Sequence, residues 1–196
     1  MSIPKERLSL LSDPAIYAEA GIERKWRVLR VFGNQCEVVA YQDARDVQKV
    51  LDYVCGPENW ANEAINLNGK LYMSVSINVT DEGWISKSDV GTESNVEKVK
   101  GEASDALKRA AVMWGVFRNL YDLETVILPA KGKTPVTAGG KELKTPAQLS
   151  AYCNGMNTGI GLLMRLYMSF EAEFKASKDA MSAMSTIKNF LNGIRE

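Results

Sequence analysis

The sequence predicts an α+β fold: an antiparallel β-meander packed against a long amphipathic helix, with a helical C-terminal tail. Three observations predict it. Leu71, Met73, Val75, Ile77 and Val79 alternate with Lys70, Tyr72, Ser74, Ser76 and Asn78, the period of a half-buried strand. Val96, Val99, Ala103, Ala106, Leu107, Ala110, Trp114, Phe117 and Tyr121 form one apolar stripe at helical spacing. Gly33-Asn34 and Asn68-Gly69 are two-residue turns of the kind that join antiparallel neighbours.

In chain order, Trp26–Phe32 and Gln35–Tyr41 read as a hairpin across Gly33-Asn34. A helix follows from about Asp43 to Cys55, with Val47, Val50, Leu51 and Val54 on one face and Gly56-Pro57 as its stop. Asn62–Leu67, the alternating strand and Trp84–Val90 continue the meander through turns at Asn68-Gly69 and Asp81-Glu82-Gly83. Ser94-Asn95-Val96-Glu97 reads as a capping box opening the long helix, which is expected to reach about Tyr121. Gly101 and Gly115 are unfavourable inside it by about 1 kcal/mol each relative to Ala, so they point to close packing or to a break at Gly115. Trp60, Trp84 and Trp114 are expected in the core, and Tyr72 is the better candidate for stacking on a base.

Residues 1–128 are thus expected to form the α+β domain. The Gly, Pro and Lys content of 129–144 reads as a flexible linker. Thr145-Pro146-Ala147-Gln148 is a second capping box, opening a helical appendage over 145–196. Its Met156, Met164, Met168, Met181 and Met184 suit an adaptable packing surface.

Composition excludes several chemistries. The chain has no histidine, so it holds no His-ligated zinc, no Ser-His-Asp triad and no Cys-His pair. The acidic residues form no compact cluster, so no metal site and no enzyme activity are expected. Gly132-Lys133-Thr134 resembles the end of a phosphate-binding loop, but Ile127 stands where that motif needs glycine. Gly155, Gly159 and Gly161 do not have dinucleotide-loop spacing, and no cofactor is expected. Cys36, Cys55 and Cys153 are an odd count without a Cys-x-x-Cys pair, which suits reduced thiols in a cytoplasm. No signal-peptide pattern and no membrane-length apolar run is present.

Net charge is zero, but it is unevenly spread. Residues 31–97 hold 4 basic and 11 acidic side chains, whereas 98–144 hold 9 basic and 5 acidic. Such a chain can present a basic groove while neutral overall. On the long helix Lys98, Asp105, Lys108, Arg109 and Val112 fall opposite the apolar stripe. The plain alternative is a solvated helix face, with Asp105 pairing to Arg109 at i,i+4.

The segment KGEASDALKRAAVMWG, from Lys100 to Gly115, closely resembles the signature helix of the Rad52-type single-strand annealing family, including its bacterial and phage branch. Tyr41-Gln-Asp-Ala-Arg45, followed by Val47, Leu51 and Gly56-Pro-Glu-Asn-Trp60, resembles the family's first helix and the strand after it. Asp89-Val90-Gly91 resembles the strand end that feeds the signature helix. The likeness covers roughly residues 24–125 in matching order.

The resemblance implies single-stranded DNA as partner, ATP-independent annealing in recombination or double-strand-break repair, and a homo-oligomer, with a ring as its family form. It implies phosphate contact by Lys108 and Arg109, joined by Arg45 from the earlier helix. The family's eukaryotic members carry a further basic residue where this chain has Val112, so Lys98, Lys100, Arg118 or the Lys131/Lys133 loop are candidates to complete the groove. A single-strand binding protein or a recombinase is a candidate partner, with a cytoplasmic location on the nucleoid or, for a phage protein, in its host. The rivals are an end-protecting single-strand binder that does not anneal, and an interaction scaffold using the Met-rich tail.

Overall fold

A computed structural model describes residues 2–92, 98–123 and 125–156, with only the backbone described at 98 and 99. The capping box at 94–97 and the tail beyond Met156 lie outside the described residues. The chain divides into two compact units, Met1–Arg24 with Ala40–Glu124 and Lys25–Val39 with Thr125–Glu196.

In the first unit a 3-10 segment (Lys5–Ser12) leads into α1 (Pro14–Glu19), followed by α2 (Ala44–Cys55). Asp43 caps α2 by accepting from the Arg45 and Asp46 N–H groups, while Asp46 reaches back to the Asp43 N–H at 3.2 Å. Next come β3 (Trp60–Leu67), β4 (Lys70–Val79) and β5 (Gly83–Val90), an antiparallel sheet in the order β3-β4-β5. The alternation of β4 buries Met73, Val75, Ile77 and Val79 in a core with Val47, Val50, Leu51 and Val54 of α2. The helix α3 (Lys98–Met113) adds Ala106, Leu107, Ala110 and Ala111 to that core. The expected α+β class, with an antiparallel sheet against a long helix, is the observed one.

The helix stops at Met113, short of the expected Tyr121. Gly115 has φ +102° and Phe117 is left-handed at φ 55°, so the chain leaves the helical path and resumes as a 3-10 turn, Arg118–Asp122. Tyr121 is consequently exposed. Tyr17 secures the break: its hydroxyl accepts from the Phe117 N–H (2.9 Å), donates to the Leu11 carbonyl (2.8 Å), and its ring lies 4.5 Å from that of Phe117.

In the second unit β1 (Lys25–Phe32) and β2 (Gln35–Tyr41) form the expected hairpin, but not as part of the β3–β5 meander. They belong to a separate sheet, β1-β2-β6-β7, with β6 at Val126–Lys131 and β7 at Thr134–Pro135. The stretch 129–144, expected as a flexible linker, is therefore structured in large part. Val126, Leu128 and Ala130 alternate inward along β6, and Val136 bridges to Glu142. The second capping box is present: Gln148 N–H donates to Thr145 Oγ1, and Thr145 N–H to Gln148 Oε1, both at 3.2 Å. It opens α4 (Pro146–Met156), which packs on β1. There Trp26 donates its N–H to Ser150 Oγ (3.0 Å) and its indole N–H to Asn154 Oδ1 (2.7 Å).

Trp114 is buried as expected, its indole N–H donating to the Val75 carbonyl at 3.0 Å. Trp84 is not in the core: it is 53% exposed, because β5 turns Ile85, Lys87 and Asp89 to the face shared with Ile77, Val75 and Met73. Trp60 and Tyr72 are half-buried, and the Trp60 indole N–H donates to Asp52 at 2.7 Å.

Candidate nucleic-acid interface

The helix α3 can lie close on the sheet because its inward residues are mostly small. Ala106, Ala110 and Ala111 are completely buried. The closest approach is at Gly91, just past β5, where an added Cβ would stand 2.3 Å from the Glu102 carbonyl oxygen. Glu102 itself accepts from the Leu71 N–H at 3.3 Å, tying the start of β4 to the same turn of helix.

The C-terminal carbonyls of α3 are held by cations, as the negative end of a helix dipole favours. Arg118 donates from Nε (3.2 Å) and Nη2 (2.8 Å) to the Val112 carbonyl, and from Nη2 to that of Met113 (3.1 Å). Lys87 Nζ donates to the Met113 carbonyl (3.0 Å) and sits 4.2 Å above the Trp114 ring. Arg118, a candidate to complete a basic groove, is thus bound to helix carbonyls.

Lys108 and Arg109 occupy the outward arc of α3, with side chains 37% and 42% exposed. Each faces a carboxylate. Lys108 Nζ is 3.7 Å from Asp105 Oδ1, and Arg109 Nε is 3.4 Å from Asp89 Oδ2. The Asp105–Arg109 pair of the plain solvated-face alternative is not formed; these two stand in its place. Asp105 is also engaged through Oδ2, which accepts from the Thr92 N–H (3.1 Å) and hydroxyl (2.8 Å). Arg109 Nε is shut off from solvent and makes no hydrogen bond among the described residues, so the exposed part of the side chain is its outer end.

Of the other expected site residues, Lys100 is exposed on the first turn of α3, and Lys98 opens the helix with only its backbone described. Arg45 is exposed in the first turn of α2. Lys131 and Lys133 belong to the β6–β7 hairpin of the second unit, where Lys131 faces Glu142 at 3.8 Å. Among the described residues no cluster of carboxylates, cysteines or histidines could hold a metal ion, and no helix is long and apolar enough to cross a membrane. Asp89, Thr92 and Lys87 were not among the expected site residues. The signal for Lys87 and Asp89 is the placement of two charges on the core-facing row of β5; Thr92, past the strand, carries none.

A family model described as "Rad52/22 family double-strand break repair protein" matches residues 22–135. The chain belongs to the Rad52/22 family. The matched stretch runs from just before β1 to the last residue of β7, and contains Arg45, Asp89 and all of α3. Among curated proteins, this Rad52/22-family chain is similar to the single-stranded DNA-binding protein DdrA of Deinococcus deserti, 42% identical over 88 residues. That alignment covers 44% of this chain and 43% of the relative. It is likewise similar to DdrA of Deinococcus radiodurans, 40% identical over 88 residues, covering 44% of this chain and 41% of the relative. The chain therefore spans less than half the length of the curated relatives it matches. No solved structure matches it.

Proposed function

We propose that this Rad52/22-family protein binds single-stranded DNA on the α3 face that carries Lys108 and Arg109, and speeds the pairing of complementary strands without ATP, in recombination or double-strand-break repair. The observation that carries the reading is the adjacent cation pair on a helix whose other face is locked to the sheet. A rigid pair of this kind grips phosphates whatever the base sequence, and leaves base edges free for a complement. Lys98, Lys100 and Arg45 are the further cations assigned to the strand. No bond is made or broken in this role, and no cofactor takes part.

The working form proposed is a homo-oligomer, a ring in its fullest form. It is supported by the sheet edges: β3 and β5 are outer strands, and β3 exposes Ile65 and Leu67. The location assigned is cytoplasmic.

The test is a Lys108→Ala/Arg109→Ala variant titrated against a labelled oligonucleotide across a salt series. Each lost phosphate contact should flatten the logarithmic salt slope by about 0.7, so the pair accounts for about 1.4. An unchanged slope in a folded variant sinks the site. The printed name of the relatives, a single-stranded DNA-binding protein, favours a second reading in which the strand is bound but not annealed. Complementary oligonucleotides that pair no faster with the protein than without it would select that reading.

A further inference from the structure

We propose that Asp89 and Asp105 are positioning residues of this face, anchored carboxylates that stand beside Arg109 and Lys108 and weaken the grip on phosphate enough for the strand to be released. The inference rests on the strand-binding reading above and deepens it.

Both carboxylates are built in the same way. Asp89 gives Oδ1 to the Val90 N–H at 2.7 Å and presents Oδ2 to Arg109. Asp105 gives Oδ2 to the Thr92 N–H and hydroxyl and presents Oδ1 to Lys108. Each thus uses one oxygen on the short segment at the end of β5, residues 90–92, and turns the other towards one member of the cation pair. That segment is itself fixed by the contact of Gly91 with Glu102.

Neither contact consumes a donor of its cation. The Lys108 separation of 3.7 Å is beyond hydrogen-bond range, and Arg109 Nε has no hydrogen bond among the described residues. The carboxylates therefore offset charge while the lysine ammonium and the outer end of the guanidinium keep their N–H groups for a ligand. Two positive and two negative charges sum to zero at the centre of the face. An arriving phosphate is attracted by the cations and repelled by the carboxylates that stand 3.4 and 3.7 Å from them. A protein that must let go of a strand once it has paired gains from such a compensated site, because affinity differences of this kind appear mainly in the dissociation rate.

Asp89→Asn and Asp105→Asn keep an acceptor oxygen for the Val90 and Thr92 groups and remove the charge, with an amide NH2 in place of the oxygen that faces the cation. Each is expected to tighten binding of an unlabelled-sequence probe, a dT oligonucleotide, by on the order of threefold to tenfold at low salt, through slower dissociation. Annealing of complementary strands should slow in the same variants. The same substitutions placed in the Lys108→Ala/Arg109→Ala background should change affinity by less than about twofold, because the charges they would oppose are gone. Unchanged or weaker binding by both folded Asn variants overturns the proposal, as does equal tightening in the double-alanine background. Failure of the strand-binding reading looks different: there the double-alanine variant itself binds like the parent. The two carboxylates are tested independently, so a folding defect in one variant leaves the other decisive.

Discussion

Gly91→Ala tests whether the contact between β5 and α3 is as tight as its geometry indicates. The added Cβ would meet the Glu102 carbonyl oxygen at 2.3 Å, Glu102 Cγ at 3.0 Å and the Ala106 Cβ at 3.1 Å. Ordinary carbon contacts lie at about 3.5 Å or more, so strand end and helix must part by about 1 Å. The nearest obstacle is backbone, which cannot swing aside as a side-chain end can. Overpacking of this sort costs about 1–3 kcal/mol, against which alanine recovers about 0.4–1 kcal/mol by restricting the unfolded chain. The net loss, about 1–2 kcal/mol, should lower the melting temperature by roughly 2–8 °C for a chain of this size. Calorimetry or a circular-dichroism melt reads it directly. Because Asp89 lies two residues before Gly91, the 3.4 Å Asp89–Arg109 spacing should also widen, which the oligonucleotide titration would register as a changed affinity. A melting temperature within about 1 °C of the parent would refute the packing argument.

Arg118→Ala should lower stability by about 0.3–1 kcal/mol, by uncapping α3, while leaving the salt slope of DNA binding unchanged; a flattened slope would return Arg118 to the groove. Trp114→Ala should cost about 3–5 kcal/mol in urea unfolding, and Trp84→Ala under about 1 kcal/mol, since only the first is buried. Burial pushes the thiols of Cys55 and Cys153 up to about 12, and raises that of Cys36. None of the three should react with a thiol reagent at pH 8 until the protein unfolds. Above about pH 9 the unfolded chain releases thiol protons that the folded chain keeps. Stability should therefore fall between about pH 9 and 12, seen as a lower urea midpoint at pH 10 than at pH 8.

Elements whose pattern is local were legible in the sequence. The β4 alternation, the apolar face of α2, the Gly33-Asn34 hairpin and the Thr145 capping box need only neighbours within a few residues, and all are present. The outward position of Lys108 and Arg109 followed in the same way from helical periodicity and the inward stripe of Ala106, Leu107 and Ala110. What escaped depends on partners far along the chain. Hairpin β1-β2 reads like the opening of one meander, yet β2 pairs with β6, some 90 residues later, through Gln35–Pro129 to Val38–Val126. The Lys-Gly-Pro composition of 129–144 hid β6 and β7, whose pairing provides the hydrogen bonds that composition alone makes improbable.

The cation pair shows the same division at the scale of a site. Its presence on one helix face was determined by the sequence, because side-chain direction on a helix is set by residue number. Which carboxylate faces Arg109 was decided only by the tertiary structure, whereas Lys108 pairs locally with Asp105 at i,i+3. Asp105 at i,i+4 is the natural local partner for Arg109, but Asp105 is drawn to Thr92, and Arg109 finds Asp89 on the neighbouring strand. Those choices turn on how closely α3 lies against β5, a distance set by the missing side chain of Gly91 and the buried alanines.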